Sequence, residues 1–185
     1  MTDADQIRIM TLEAFADTII PGVKRSPEDR AIAGVSDDAG AVEAGALELL
    51  ETPATGVTAG LESLATGLNG HAAAYAAKRR IDLDEDVPEF VALSYEDRCE
   101  LVVELTAPGH PEKDGWVLLA LFSNMAYDSA AHMSTADALA QGHPGLTTMG
   151  FAEPESDGLW RFADSSYGKE LAKRHPGTTA SGSPE

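Results

Sequence analysis

The segment between Trp116 and Ala130 constrains this chain more than any other. Trp116, Leu118, Leu119, Leu121, Phe122, Met125, Ala126 and Ala130 make it apolar on nearly every side when wound as a helix. Such a helix has to be covered on several faces, which places it at the centre of a helical bundle, with Trp116, Leu119, Phe122 and Met125 in the core. The rest of the chain supplies the neighbours. Alanine occurs 30 times, β-branched residues come singly rather than in alternating runs, and no strand pattern is visible. The expected fold is all-α, a single-domain bundle of about five helices with a long irregular, aromatic-rich C-terminal segment.

Apolar spacing predicts a first helix over 10–20, with Leu12, Phe15, Ala16, Ile19 and Ile20 on one stripe, ended by Pro21-Gly22. Residues 21–37 lack periodicity and read as a long surface loop. A second helix is expected over 38–51, with Val42, Ala46, Leu49 and Leu50 on one face and Asp37 and Asp38 at its positive end. A third over 55–79 repeats Val57, Leu61, Leu64, Leu68, Ala72 and Tyr75. Ser94, with an acid three positions on, caps a fourth helix carrying Leu101, Val102 and Leu105. The fifth is expected over 112–139. The helical domain then spans 10–170, between an N-terminal tail over 1–9 and a flexible tail over 171–185. After Gly142 periodicity fails, yet Phe151, Trp160, Phe162 and Tyr167 remain. That composition is unlike a disordered tail, and residues 142–170 are expected to wrap over the bundle or over a partner.

Charge narrows the partners. With 31 acidic against 13 basic side chains the net charge is -18, which opposes binding to nucleic acid or to an anionic membrane surface. The nearly apolar run from Trp116 to Leu121 is far shorter than the roughly 20 residues that cross a bilayer. The opening MTDADQIRIM has no basic stretch followed by an apolar one, so a cytoplasmic location is expected. The single cysteine, Cys99, excludes an intrachain disulfide and a cysteine-rich metal site.

Motifs for chemistry are few. Asp82-Leu-Asp84-Glu-Asp86 opens like a calcium loop but has Val87 and Leu93 where glycine and glutamate are required, so it reads as a solvated linker. Ser166-Tyr-Gly-Lys169 has the serine–lysine spacing of penicillin-recognising enzymes without the companion motifs. Three residues before the five histidines stand Leu68, Ala107, Ser129, Ala140 and Ala172, none acidic, and no two histidines are four apart, so di-iron and zincin patterns fail. No metal-binding or cofactor-binding residue is expected in this chain. Asn124, Asp128 and His132 are spaced by four and lie on one face of an uninterrupted helix. Asp128 could then orient His132 as a general acid or base, the basis of an alternative function as a small helical isomerase, cyclase or dehydratase. The bland alternatives are a satisfied structural network and the solvent side of the helix's second half. His110, His143 and His175 each precede proline and mark loops.

Three pieces together resemble the gluconate 2-dehydrogenase subunit 3-like family: Leu12-Glu-Ala-Phe-Ala-Asp-Thr-Ile-Ile-Pro21, Phe90-Val-Ala-Leu-Ser-Tyr-Glu-Asp-Arg98 and Gly142-His-Pro-Gly145. Their order matches over residues 10–150. The resemblance implies a small all-helical accessory or maturation subunit for a flavin-dependent dehydrogenase of the glucose-methanol-choline type, with FAD in the partner and Phe151, Trp160, Phe162 and Tyr167 as candidate partner contacts. It brings no catalytic residue. His143 stands where that family tends to have tyrosine, and the only Arg-Arg pair, Arg79-Arg80, is mid-chain, unlike the leading twin arginine of exported members.

Overall fold

The computed structural model describes residues 2–151 and Gly177. The described residues form eight α-helices joined by turns and irregular segments, with no strand among them. These are α1 (Asp3–Ile19), α2 (Ala46–Glu51), α3 (Leu61–Arg79), α4 (Glu89–Ala92), α5 (Tyr95–Thr106), α6 (Lys113–Ser129), α7 (Thr135–Ala140) and α8 (Pro144–Thr148). None is long and apolar enough to cross a membrane.

Helix α1 begins at Asp3 rather than near residue 10, because Thr2 and Asp5 form a capping box: each accepts a hydrogen bond from the other's backbone N–H. The stretch expected to be a tail is therefore mostly helix. Helix α2 is shorter than its apolar pattern suggested. Gly45 takes the left-handed conformation at φ 87°, which interrupts a right-handed helix and leaves residues 41–45 as turns. Helix α3 starts only at Leu61, after two single 3-10 turns at Pro53–Thr55 and Thr58–Gly60. The cap at Ser94 is as expected, its hydroxyl accepting from the Asp97 amide at 3.2 Å.

The largest correction concerns the fifth helix. Helix α6 stops at Ser129, Ala130 turns left-handed at φ 47°, and a new helix, α7, starts on a Ser134 cap that accepts from the Asp137 amide. Helix α6 packs against α1, α2, α5 and α8, so it is central as expected. Its buried face is narrower than expected. Trp116, Leu119, Ser123 and Ala126 are buried at spacings of three and four, whereas Phe122 and Met125 are only half-buried. The core is built where Phe15 of α1 meets Phe90 of α4 and Trp116 of α6, with ring centroids 6.3 and 6.5 Å apart. Truncating such an enclosed ring to alanine costs about 3–5 kcal/mol. Asn69 ties three helices beneath it, donating to Thr11 Oγ1 at 3.0 Å and accepting from the Phe90 amide at 3.1 Å.

Candidate functional site

Two of the three pieces that carry the family resemblance converge on the stretch after α1. Asp17, 1% exposed, accepts from the Gly22 amide at 2.9 Å with one carboxylate oxygen and from the Ala33 amide at 2.8 Å with the other. Arg98 of α5 lies buried beside the same loop and donates to the carbonyls of Ala31, Arg30, Val91 and Leu93 at 2.6–3.3 Å. Residues 21–37 are thus not a free surface loop: Ala31 and Ile32 are in the interior, held by two charges from distant helices. Burial pushes the Asp17 carboxyl above the ordinary aspartate value, against the two amides and Arg98, which pull it down. Every polar atom of this centre faces a partner within the chain, which suits it to holding the fold.

The third piece, Gly142-His-Pro-Gly145, builds the start of α8. His143 caps the helix through Nδ1, which accepts from the Leu146 amide, and its Nε2–H donates to the Ala44 carbonyl at 3.0 Å. Pro144 occupies the first turn, where no backbone N–H is needed. Gly145 lies directly on the Tyr127 carbonyl of α6, leaving no room for a side chain. A cleft of about 220 Å³ opens beside it, lined by Glu48, His132, Met133, Gln141 and His143.

The break at Ala130 decides the geometry of the Asp128–His132 pair. His132 follows the end of α6, so it does not continue the face carrying Asn124 and Asp128. Asp128 accepts from Asn124 Nδ2 at 2.7 Å on the exposed, solvent side of the helix. His132 turns instead toward Gly45 and His143, the two rings 6.0 Å apart, with its Nδ1 buried and unpartnered. Burial pushes its imidazole below the ordinary histidine value; Glu48 opposes this and His143 adds to it. The spacing that made the pair a candidate acid and base is not met.

A second histidine pair lies at the other end of α6. His71, from the middle of α3, sits 2.5 Å from the Glu112 carboxylate through its Nε2. His110, in the loop before α6, accepts from the Glu112 amide through Nδ1 at 3.2 Å, and its ring lies 5.7 Å from that of His71. One donor atom from each of His71, His110 and Glu112 lies within 4.8 Å of the other two. The Trp116 ring packs edge-on to His71 at 5.7 Å. Its indole N–H is buried without a hydrogen-bond partner, while the hydrogen bond from His71 holds the Glu112 carboxyl below the ordinary glutamate value. Helical spacing could not reveal this cluster, because its members come from α3 and from an irregular loop. The one sequence signal was His110 two residues before Glu112.

Of the candidate partner contacts, Phe151 is exposed, while Trp160, Phe162 and Tyr167 lie outside the described residues, as do Ser166 and Lys169. Helix α6 shows an apolar strip that the bundle leaves uncovered: Val117, Leu118 and Leu121 are 41%, 37% and 49% exposed. Compared with known families, residues 6–185 match DUF5987, a family of unknown function. The chain belongs to that family. No curated protein and no solved structure matches it. The DUF5987 match takes in all three of those pieces and continues through the segment that carries Trp160, Phe162 and Tyr167, so family membership covers the bundle and the residues that follow it alike.

Proposed function

We propose that this chain is a non-catalytic accessory subunit that binds and stabilises a flavin-dependent oxidoreductase of the glucose-methanol-choline type, with the FAD held by the partner. The observation that carries the reading is the strip of Val117, Leu118 and Leu121, three large apolar side chains left in solvent on a helix whose opposite face is fully buried. Apolar side chains gathered on one outer face are what a partner interface uses. Phe151 adds an exposed aromatic where the described chain ends. The resemblance to gluconate 2-dehydrogenase subunit 3-like proteins supplies the class of partner. Its motif residues here, Asp17, Arg98, His143 and Gly145, all serve the scaffold, in keeping with a subunit whose work is binding.

The test is co-expression with a flavin-dependent oxidoreductase of the glucose-methanol-choline type. Leu118→Asp combined with Leu121→Asp alters only exposed positions, so circular dichroism should remain helical while recovery of soluble partner falls about tenfold or more, as for the central anchors of an interface. Unchanged recovery would reject the strip as the binding face. The alternative, an enzyme using Asp128 and His132, predicts about a hundredfold loss of turnover in Asp128→Asn, the usual contribution of a positioned acid or base. Within the accessory reading the same variant changes partner activity less than about twofold.

A further inference from the structure

We propose that His71, His110 and Glu112 form a binding site for a divalent transition cation of the zinc class. The inference does not rest on the accessory role; it rests on three donors that distant segments bring together. Two imidazoles and one carboxylate are a recurrent protein ligand set for zinc and its neighbours, and three protein ligands leave a fourth position for water or for a group from another molecule. Donors bound at about 2.0–2.2 Å in a tetrahedron stand about 3.4 Å apart. The three donor atoms already lie within 4.8 Å of one another, so small side-chain rotations bring them to that spacing.

The present contacts are ones that a cation replaces at little cost. The His71 Nε2 and a Glu112 carboxylate oxygen already face each other at 2.5 Å, so a cation can sit between two groups that are directed at one another. His110 Nδ1 now accepts from the Glu112 amide; when its lone pair turns to the cation, that amide is at the exposed first turn of α6 and can be taken up by water. Glu112 is exposed while His71 and His110 are half-buried, so the site is reachable from solvent yet partly walled. The wall includes Trp116, whose ring packs edge-on to His71 and whose buried indole N–H has no hydrogen-bond partner, leaving an outer donor available to a ligating group. A chain of net charge -18 further concentrates cations at its surface.

The experiment is a titration of the full chain, stripped with a chelator, by zinc alone, read by calorimetry and by indole fluorescence. Trp116 is the reporter against His71, and Trp160→Phe isolates its signal. Saturation at one zinc per chain is expected. His71→Ala and His110→Ala should each weaken binding at least about tenfold with the circular dichroism spectrum unchanged, whereas His132→Gln should bind as the parent does. Absence of saturable binding, retention of full affinity in both single variants, or loss of it in His132→Gln would overturn the proposal. Should a variant fail to fold, X-ray absorption on the zinc form of the unaltered chain decides: two imidazoles and a carboxylate oxygen are expected, and fewer than two imidazoles would reject the site.

Discussion

The Asp17–Arg98 centre and the His71–His110–Glu112 cluster are assembled alike, from charged or titratable side chains brought together across long stretches of sequence, but they end differently. Around Asp17 and Arg98 the hydrogen-bonding capacity is directed inward, onto two amides and four carbonyls, and the groups are buried. Around Glu112 the carboxylate is exposed and a buried indole N–H is left without a partner. A polar cluster that is complete within the chain holds structure, because removing one member strands the others in a poor solvent. A cluster left incomplete and reachable has capacity to give to something else.

Arg98→Ala is the severest way to break this contrast. It strands three buried carbonyls and a part-buried one and leaves Asp17 without its nearby opposite charge, so a loss of about 3–5 kcal/mol in urea unfolding is expected. A loss below about 1 kcal/mol would mean that water replaces the guanidinium and that the centre is no more closed than the histidine cluster.

Asp17→Asn should be milder, about 1–3 kcal/mol, since the amide keeps one acceptor but turns an NH₂ group toward the second backbone N–H. The same variant sharpens the comparison through pH. Burial raises the Asp17 carboxyl above its ordinary value of 3.8, so the folded chain holds that proton more tightly than the unfolded chain does. Its contribution to stability is therefore full below pH 3.8 and is lost as pH rises through the elevated value. Glu112 has the opposite sign. Its carboxyl is held low mainly by the hydrogen bond to His71, so its contribution is present above the ordinary glutamate value and lost as pH falls through the lowered one. Urea midpoints measured across the acid range should show the first slope in the parent and not in Asp17→Asn.

The smallest effect is expected at the open cluster. Glu112→Gln changes an exposed side chain, so the urea midpoint at neutral pH should fall only slightly below that of the parent, far less than in either Asp17→Asn or Arg98→Ala, while zinc affinity falls. A clear loss of stability without added metal would make this cluster a structural latch of the same kind as Asp17 and Arg98.

Much of the bundle was legible in the sequence because its signals are local. The Ser94 cap, the stop at Pro21-Gly22 and the burial of Trp116 and Leu119 each follow from a few neighbouring residues. The end of α6 was not, since Ala130 is neither glycine nor proline and yet turns left-handed at a fully buried position. The Ser134 to Asp137 spacing was the available sign of a new helix there. The anchored loop and the histidine cluster were hidden for a shared reason. Each depends on pairings across the fold, such as Arg98 with Ala31 or His71 with Glu112, and periodicity carries no information about those.

The reach of Arg98 also bears on the order in which the molecule acquires its structure. Its bond to the Ala31 carbonyl closes 67 residues of chain, whereas the caps of α1 and α5 each close three. Helices therefore have every reason to precede the loop, because closing a long segment costs entropy before any contact rewards it. The stretch 22–33 is then a late arrival, settled only once α5 has docked, and substitutions within it should hasten unfolding while leaving the rate of refolding nearly untouched. The two charges that define the native interior are, on this account, bystanders to the nucleus that builds it.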